Sequence, residues 1–300
     1  YQRFLFAYGP RSLSYDDHQC SSYDVEACSW SNIPDEDFAL ADDNHWTIGQ
    51  FVWTGFDYLG EPSPYDTNAW PNHSSMFGII DLASIPKDRY YLYRSVWNKK
   101  AETLHILPHW TWPGREGKVT PVFVYTNHPT AELFINGKSY GKQSKNNSSL
   151  KNRYRLMWMD AVYEPGEIKV VAYNKDGKAV AEKIVRTAGK PHHIELVSNR
   201  NELTADGKDL AYITVKVVDK DGNLCPADSR QINFSVKGAG KYRAAANGDP
   251  TNLEQFHLPK MHTFNGMLTA IVQSGETAGE IVLTAKASGV KAGNIRIQTK

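Results

Sequence analysis

Along Ile213-Thr214-Val215-Lys216-Val217 apolar and polar side chains alternate one by one, and runs with the same period of two lie at Val119 to Tyr125, Ala131 to Ile135, Glu167 to Tyr173, Ile232 to Val236 and Ile281 to Ala285. Successive side chains of an extended chain point to opposite faces, so each run has one face to bury and one to solvate. Many short strands of this kind satisfy their apolar faces by stacking two antiparallel sheets. The turns agree. Asn136-Gly137 and Asn174-Lys-Asp-Gly177 join neighbouring runs with residues that tolerate positive φ, and Lys220-Asp-Gly-Asn223 turns the chain ahead of Ile232. Gly189-Lys-Pro191 reads as a linker. Residues 100–188 and 189–300 are therefore expected to form two immunoglobulin-like antiparallel β-sandwich domains. One stretch is irregular: Asn247 to Phe264, with Phe256, His257, Pro259, Met261 and His262, is long for a hairpin loop.

The first 99 residues follow another grammar. Pro34 followed by Asp35, Glu36 and Asp37 predicts a short helix starting near Asp35. Ile48-Gly-Gln-Phe-Val-Trp53 is a short apolar run bounded by polar residues, which predicts a strand buried on both faces as in a parallel barrel. It runs into Thr54-Gly55 and a loop carrying Gly60, Pro62, Pro64 and Pro71, too long for a mere connector. Pro86 to Trp97 then reads as a helix with Tyr90, Tyr93 and Trp97 on one face. Strand, long loop and helix in that order is how a (β/α)8 barrel is built. The opening Tyr1-Gln-Arg-Phe-Leu-Phe-Ala-Tyr8 reads as the interior of a longer polypeptide, so a fragment is expected.

Charge divides at the same place. Residues 1–99 hold six Lys or Arg against fourteen Asp or Glu, a net of −8, whereas residues 100–300 hold twenty-eight against nineteen, a net of +9. Seven of the eight tryptophans precede residue 113, and an acidic, aromatic region is the mixture a sugar-binding cleft uses. The total charge of +1 gives no electrostatic case for nucleic acid or an anionic membrane as partner. No apolar run approaches the ~20 residues that span a bilayer. Cys20, Cys28 and Cys225 have neither zinc-site nor disulfide-framework spacing.

Phe51-Val-Trp53-Thr-Gly-Phe-Asp57-Tyr58-Leu-Gly-Glu61-Pro resembles the last barrel strand of family 2 glycoside hydrolases of the β-galactosidase type. Phe77-Gly-Ile-Ile-Asp81-Leu-Ala and Pro86 to Trp97 resemble that family's closing loop and final barrel helix, and Leu104-His-Ile-Leu-Pro-His-Trp110 its entry into an accessory sandwich. The resemblance covers most of the chain. It implies the C-terminal part of a (β/α)8 TIM barrel in residues 1–99, followed by the two sandwiches. It also implies a retaining exo-β-glycosidase whose carbohydrate substrate carries a terminal β-linked sugar; the residues themselves assign no cofactor and no metal site. Such a chain would work with the rest of its parent glycosidase, and a periplasmic or extracellular bacterial location is expected.

Trp53, at the C-terminal end of the barrel strand, is then the floor of the sugar subsite next to the scissile bond, its indole face against the apolar C–H face of a pyranose. From the residues alone, a tryptophan ending an apolar run is more often core. Asp57 and Glu61 follow it in the loop and can accept hydrogen bonds from sugar hydroxyls, with solvated or structural carboxylates the alternative. Tyr58 is expected to line the cleft; Trp70, Asp81, Asp42 and Asp43 are weaker candidates. His105, His109, Trp110 and Trp112 read as packing where barrel meets sandwich. His257 and His262 lack the carboxylate support of a metal site. Retention needs two carboxyl groups about 5 Å apart, and the family uses two glutamates. Glu26 and Glu36 have no strand-end setting, so nucleophile and acid/base are expected upstream of Tyr1. The rival reading is a non-catalytic carbohydrate-binding or adhesion protein made of β-sandwich modules.

Overall fold

A computed structural model describes residues 21–25, 27, 30–62 and 70–300. Two compact units divide the chain. One joins the described residues up to Asp81 with Pro86–Thr187, and the other joins Leu82–Ile85 with Ala188–Lys300.

The first unit begins with α1 (Pro34–Asp43), whose proline lies in the first turn, where a missing N–H costs nothing. Helix α2 (Asp88–Trp97) follows at the position the sequence predicts, starting two residues beyond Pro86. Strands β1 (Leu104–Leu107), β2 (Val122–Thr126) and β5 (Leu156–Trp158) make one antiparallel sheet in the order β1-β2-β5, with α3 (Leu150–Tyr154) leading into β5. Strands β3 (Thr130–Ile135), β4 (Lys138–Ser144), β6 (Glu167–Tyr173) and β7 (Ala179–Arg186) make the other, in the order β4-β3-β6-β7. Asn136 and Gly137 both take positive φ, 49° and 80°, which gives the β3–β4 hairpin a turn whose twist matches its strands.

All five residues of β2 are buried, unlike the alternating β3 and β6. The cause is a third layer. Val122 and Val124 face Leu133, Ile135, Ile168 and Val170 of the second sheet, whereas Phe123 and Tyr125 face Phe38 of α1, Leu92 and Tyr93 of α2, and Tyr23. Tyr23 hydroxyl donates to the Pro121 carbonyl at 2.7 Å. A buried polar cluster ties the layers further. The Arg155 guanidinium donates to Asp35 of α1 and to the carbonyls of Tyr23 and Asp24, at 3.1 and 3.0 Å. Arg89 of α2 donates to the Asp24 carboxylate at 2.8 Å. Residues before 99 and residues 100–187, expected as separate domains, thus share one hydrophobic interior and one charge network.

In the second unit, β8 (His193–Ser198), β10 (Leu210–Val218), β12 (Gly240–Ala246) and β14 (Met267–Ser274) form a sheet in the order β12-β14-β10-β8. It faces a sheet of β9 (Glu202–Leu203), β11 (Gln231–Gly238), β13 (Lys260–His262), β15 (Gly279–Lys286) and β16 (Gly293–Thr299), in the order β13-β11-β15-β16-β9. Ile213, Val215 and Val217 are buried between the sheets as their alternation predicts, with Leu268, Val272, Ile281 and Leu283 opposite. Full burial of each Ile or Leu stabilises by roughly 1.5–3 kcal/mol. Thr269 hydroxyl donates to the Ala83 carbonyl at 2.6 Å, which holds the short 82–85 segment to this sandwich.

One expected element does not form. Ile48 to Trp53 is not a strand, and Ile48 and Phe51 are fully exposed. An apolar run marks a segment to be covered, and it becomes a strand only where another strand accepts its hydrogen bonds. No strand lies between Trp30 and Leu104 among the described residues, so the expected barrel portion is not shown, and α1, α2 and looped chain stand where it was expected. No helix among the described residues is long and apolar enough to cross a membrane.

Candidate functional site

Two loop segments, 54–60 and 73–80, lie side by side beyond Trp53. Ile79 N donates to Thr54 O at 3.1 Å, Ile80 N to Gly55 O at 3.0 Å, Asp57 N to Ile80 O at 2.9 Å, Ser75 N to Tyr58 O at 2.9 Å and Gly60 N to His73 O at 2.9 Å. The result is a small ladder made of loops, with a parallel bridge at Phe56 and Ile80 and an antiparallel one at Leu59 and Ser74. Gly78 lets the segments cross. A Cβ there would lie 2.1 Å from Asp57 N and 2.5 Å from Ile80 O, so only glycine fits.

Beneath the ladder Asp57 is buried, not turned to solvent. Its Oδ1 accepts from Gly78 N at 2.8 Å and from the Lys87 ammonium at 2.8 Å, and Lys87 lies 2.7 Å from Oδ2. Lys87 and Asp57 side chains are 1% and 3% exposed. Burial pushes the Lys87 ammonium below the ordinary lysine range and the Asp57 carboxyl above the ordinary carboxylate range, each opposed by the partner's charge. Both carboxylate oxygens are engaged by the protein, so the structural alternative for Asp57 is the one its surroundings support.

Above the ladder three expected residues meet. Trp53 is 76% exposed, which places it outside the core. Its ring meets Tyr58 edge-on at 6.4 Å between centroids. Tyr58 hydroxyl donates to Glu61 Oε2, and that bond pushes the hydroxyl above the ordinary phenol range. An exposed indole face, a phenol and a carboxylate side by side offer a flat apolar surface flanked by hydrogen-bonding groups, which suits a sugar ring. Trp70 is also exposed.

The weaker candidates have structural partners. Asp42 accepts from Tyr154 hydroxyl at 2.8 Å, and Asp43 receives both guanidinium nitrogens of Arg153 at 2.9 and 2.8 Å, which holds its carboxyl below the usual range. Asp81 is buried. His105 stacks on Tyr91 of α2 at 3.9 Å and bonds Asp88 at 2.6 Å, so it packs helix against sandwich. Trp110 is fully buried with its N–H on Glu164 O, and Trp112 stacks on His109 at 3.8 Å. His262 Nδ1 lies 2.9 Å from Glu254, and no group of three or more His, Cys, Asp or Glu that could hold a metal ion occurs among the described residues. Cys20, Cys28, Glu26 and residues 63–69, Pro64 of the loop among them, lie outside the described residues. Lys87 and Gly78 were not legible as site residues. The only signal was the spacing of a lysine just before a helix, which carries no period.

Residues 194–296 match the family model for glycoside hydrolase family 2 C-terminal domain 5. The chain belongs to glycoside hydrolase family 2. A second model, described only as a domain of unknown function, matches residues 117–181. Among similar proteins, a β-galactosidase of Bacteroides ovatus is 42% identical over 97% of this chain and 33% of its own length. A putative β-glucuronidase of Formosa agariphila is 34% identical over 83% of this chain and 24% of its own. The solved structure of a β-glycosidase from Bacteroides vulgatus superimposes with a TM-score of 0.83 at 35% identity, covering 94% of this chain and 34% of that one. The chain thus spans about a quarter to a third of the length of these relatives.

Proposed function

We propose that this chain is the C-terminal part of a retaining exo-β-glycosidase that removes terminal β-linked sugars, with a β-galactoside as the favoured substrate. The observation that carries the reading is the Trp53 indole, held in solvent at the rim of a braced loop beside Tyr58 and Glu61. In this reading residues 1–99 close a (β/α)8 barrel, residues 100–188 and 189–300 are accessory sandwiches, and the two catalytic glutamates belong to sequence outside this chain. The fully exposed Ile48 and Phe51 support it, because an apolar strand-like run at the surface is a surface to be covered, and the relatives have twice this length again to cover it. Export from a bacterial cell is part of the same reading.

The chemistry follows from the division of labour. Two carboxyl groups about 5 Å apart carry out the double displacement, one as nucleophile and the other as acid and then base. Trp53 contributes by fixing the sugar ring in the subsite, and Glu61, oriented by Tyr58, accepts a hydrogen bond from a sugar hydroxyl. The β-galactoside preference rests on the 42% identity to the β-galactosidase, against 34% to the putative β-glucuronidase. An adhesion module of sandwiches explains the second unit equally well but leaves the exposed tryptophan and its braced loop without a task.

Hydrolysis of a nitrophenyl β-galactoside by this chain and by the full-length enzyme carrying it tests the proposal. Turnover only by the full-length enzyme is the expected result. Appreciable turnover by the 300-residue chain sinks the assignment of both glutamates to other sequence, and a full-length enzyme inert on every β-glycoside sinks the reading as a whole.

A further inference from the structure

Trp53 has little of its own to hold it. Its ring is largely in solvent, and among the described residues its ring partner is Tyr58, which it meets edge-on and through a side-chain hydrogen bond. The indole therefore stands where the backbone just beyond it stands, and that backbone is the loop ladder of 54–60 on 73–80. One side chain outside the ladder reaches both halves of it. Lys87 donates its backbone N–H to Ile79 O at 3.0 Å, and its ammonium to Asp57 Oδ1 at 2.8 Å and to Met76 O at 3.4 Å. Asp57 returns the link by accepting from Gly78 N at 2.8 Å. The crossing at Gly78 leaves no slack, since backbone meets backbone there.

We infer that Lys87 is a positioning residue for the sugar platform: its ammonium, locked to Asp57, sets the place and tilt of Trp53 four residues earlier in the loop. The inference rests on the glycosidase reading above and adds to it a residue that never touches sugar. Loss of either charge leaves the other buried without its main counter-charge, Asp81 being the lesser one at Lys87, and the buried group is then relieved by admitting water and loosening the crossing. The platform moves with the loop.

The test is a double-mutant cycle in the full-length enzyme, with Trp53→Ala, Lys87→Met, Asp57→Asn and the combinations of Trp53→Ala with each, read as KM and kcat on a nitrophenyl glycoside. Trp53→Ala lowers kcat/KM by roughly 10- to 100-fold. Lys87→Met and Asp57→Asn each raise KM by roughly 3- to 30-fold and cost nothing further when Trp53 is already alanine, because they act through it. Arg155→Met, which breaks an equally buried ion pair away from the loop, lowers the Tm and leaves KM unchanged. Should Lys87→Met fail to fold, Asp57→Asn, which keeps the side chain's shape, carries the cycle. Losses that add to that of Trp53→Ala, or a fall in Tm with KM unmoved, overturn the inference alone. A silent Trp53→Ala overturns the platform and this inference together.

Discussion

Trp158 and Trp53 place the same indole in opposite surroundings. Trp158, at the end of β5, is sealed in the first sandwich with its N–H on Gly141 O at 3.0 Å, so both its apolar area and its donor are satisfied inside the protein. Trp53 is bare, and what is buried near it is the ion pair that braces its loop. A residue whose work is stability is surrounded by contacts of its own; one whose proposed work is contact with a ligand is held from behind and left open in front.

The contrast breaks most visibly under truncation to alanine. Trp158→Ala is expected to cost about 3–5 kcal/mol of stability by opening a cavity in the first sandwich, whereas Trp53→Ala changes stability by no more than about 0.5 kcal/mol, both read from denaturant unfolding. Similar losses for the two would dissolve the distinction. Arg155→Met leaves Asp35 buried without its counter-charge, and a loss of about 3–5 kcal/mol in the same measurement is expected. A loss within experimental scatter would mean that α1 is not held by that pair. Gly137→Ala, which forces a Cβ onto a φ of 80°, is expected to lower stability by about 1 kcal/mol with kinetics untouched.

Much of the sandwich half was legible because a period of two is a local signal. Glu167 to Tyr173 and the Asn136-Gly137 turn are where the pattern puts them. Val119 to Tyr125 is displaced to Val122–Thr126, since Pro121 has no N–H to donate and Val119 keeps only an isolated bridge to Val162. The candidate site was legible only in part. Trp53, Tyr58 and Glu61 come together because they lie within one loop, but Asp57 reads like them in sequence and points the other way. What turns it is Lys87, thirty residues on, and what makes Asp35 a core residue is Arg155, 120 residues on. Neither pairing leaves a periodic trace. Ile48 to Trp53 failed for a related reason: apolar runs say that a surface wants covering and do not say what covers it.

The smallest expected effect concerns acid. Asp209 is held below the usual carboxylate range first by the backbone N–H of Thr204, and Asp206 by those of Lys208 and Asp209. A depressed folded pKa gives stability that is complete above the unfolded value of about 3.9 and is lost as pH falls through the lower folded value. The second sandwich is therefore expected to lose stability progressively below about pH 4, with Asp209→Asn flattening that slope in thermal melts. An identical slope in the variant would remove these turns from the account of acid sensitivity.

The all-buried strand β2 sets a rule for anyone dividing the gene. Cutting at residue 103 to obtain a tidy pair of sandwiches would bare Phe123 and Tyr125 to water, turning the middle leaf of a three-leaf book into a greasy cover. Such a trimmed product would self-associate through that cover. The stretch before residue 100 is thus the lid of its neighbour and, in the proposed reading, also the wall of a sugar cleft, so that the two roles are inherited together.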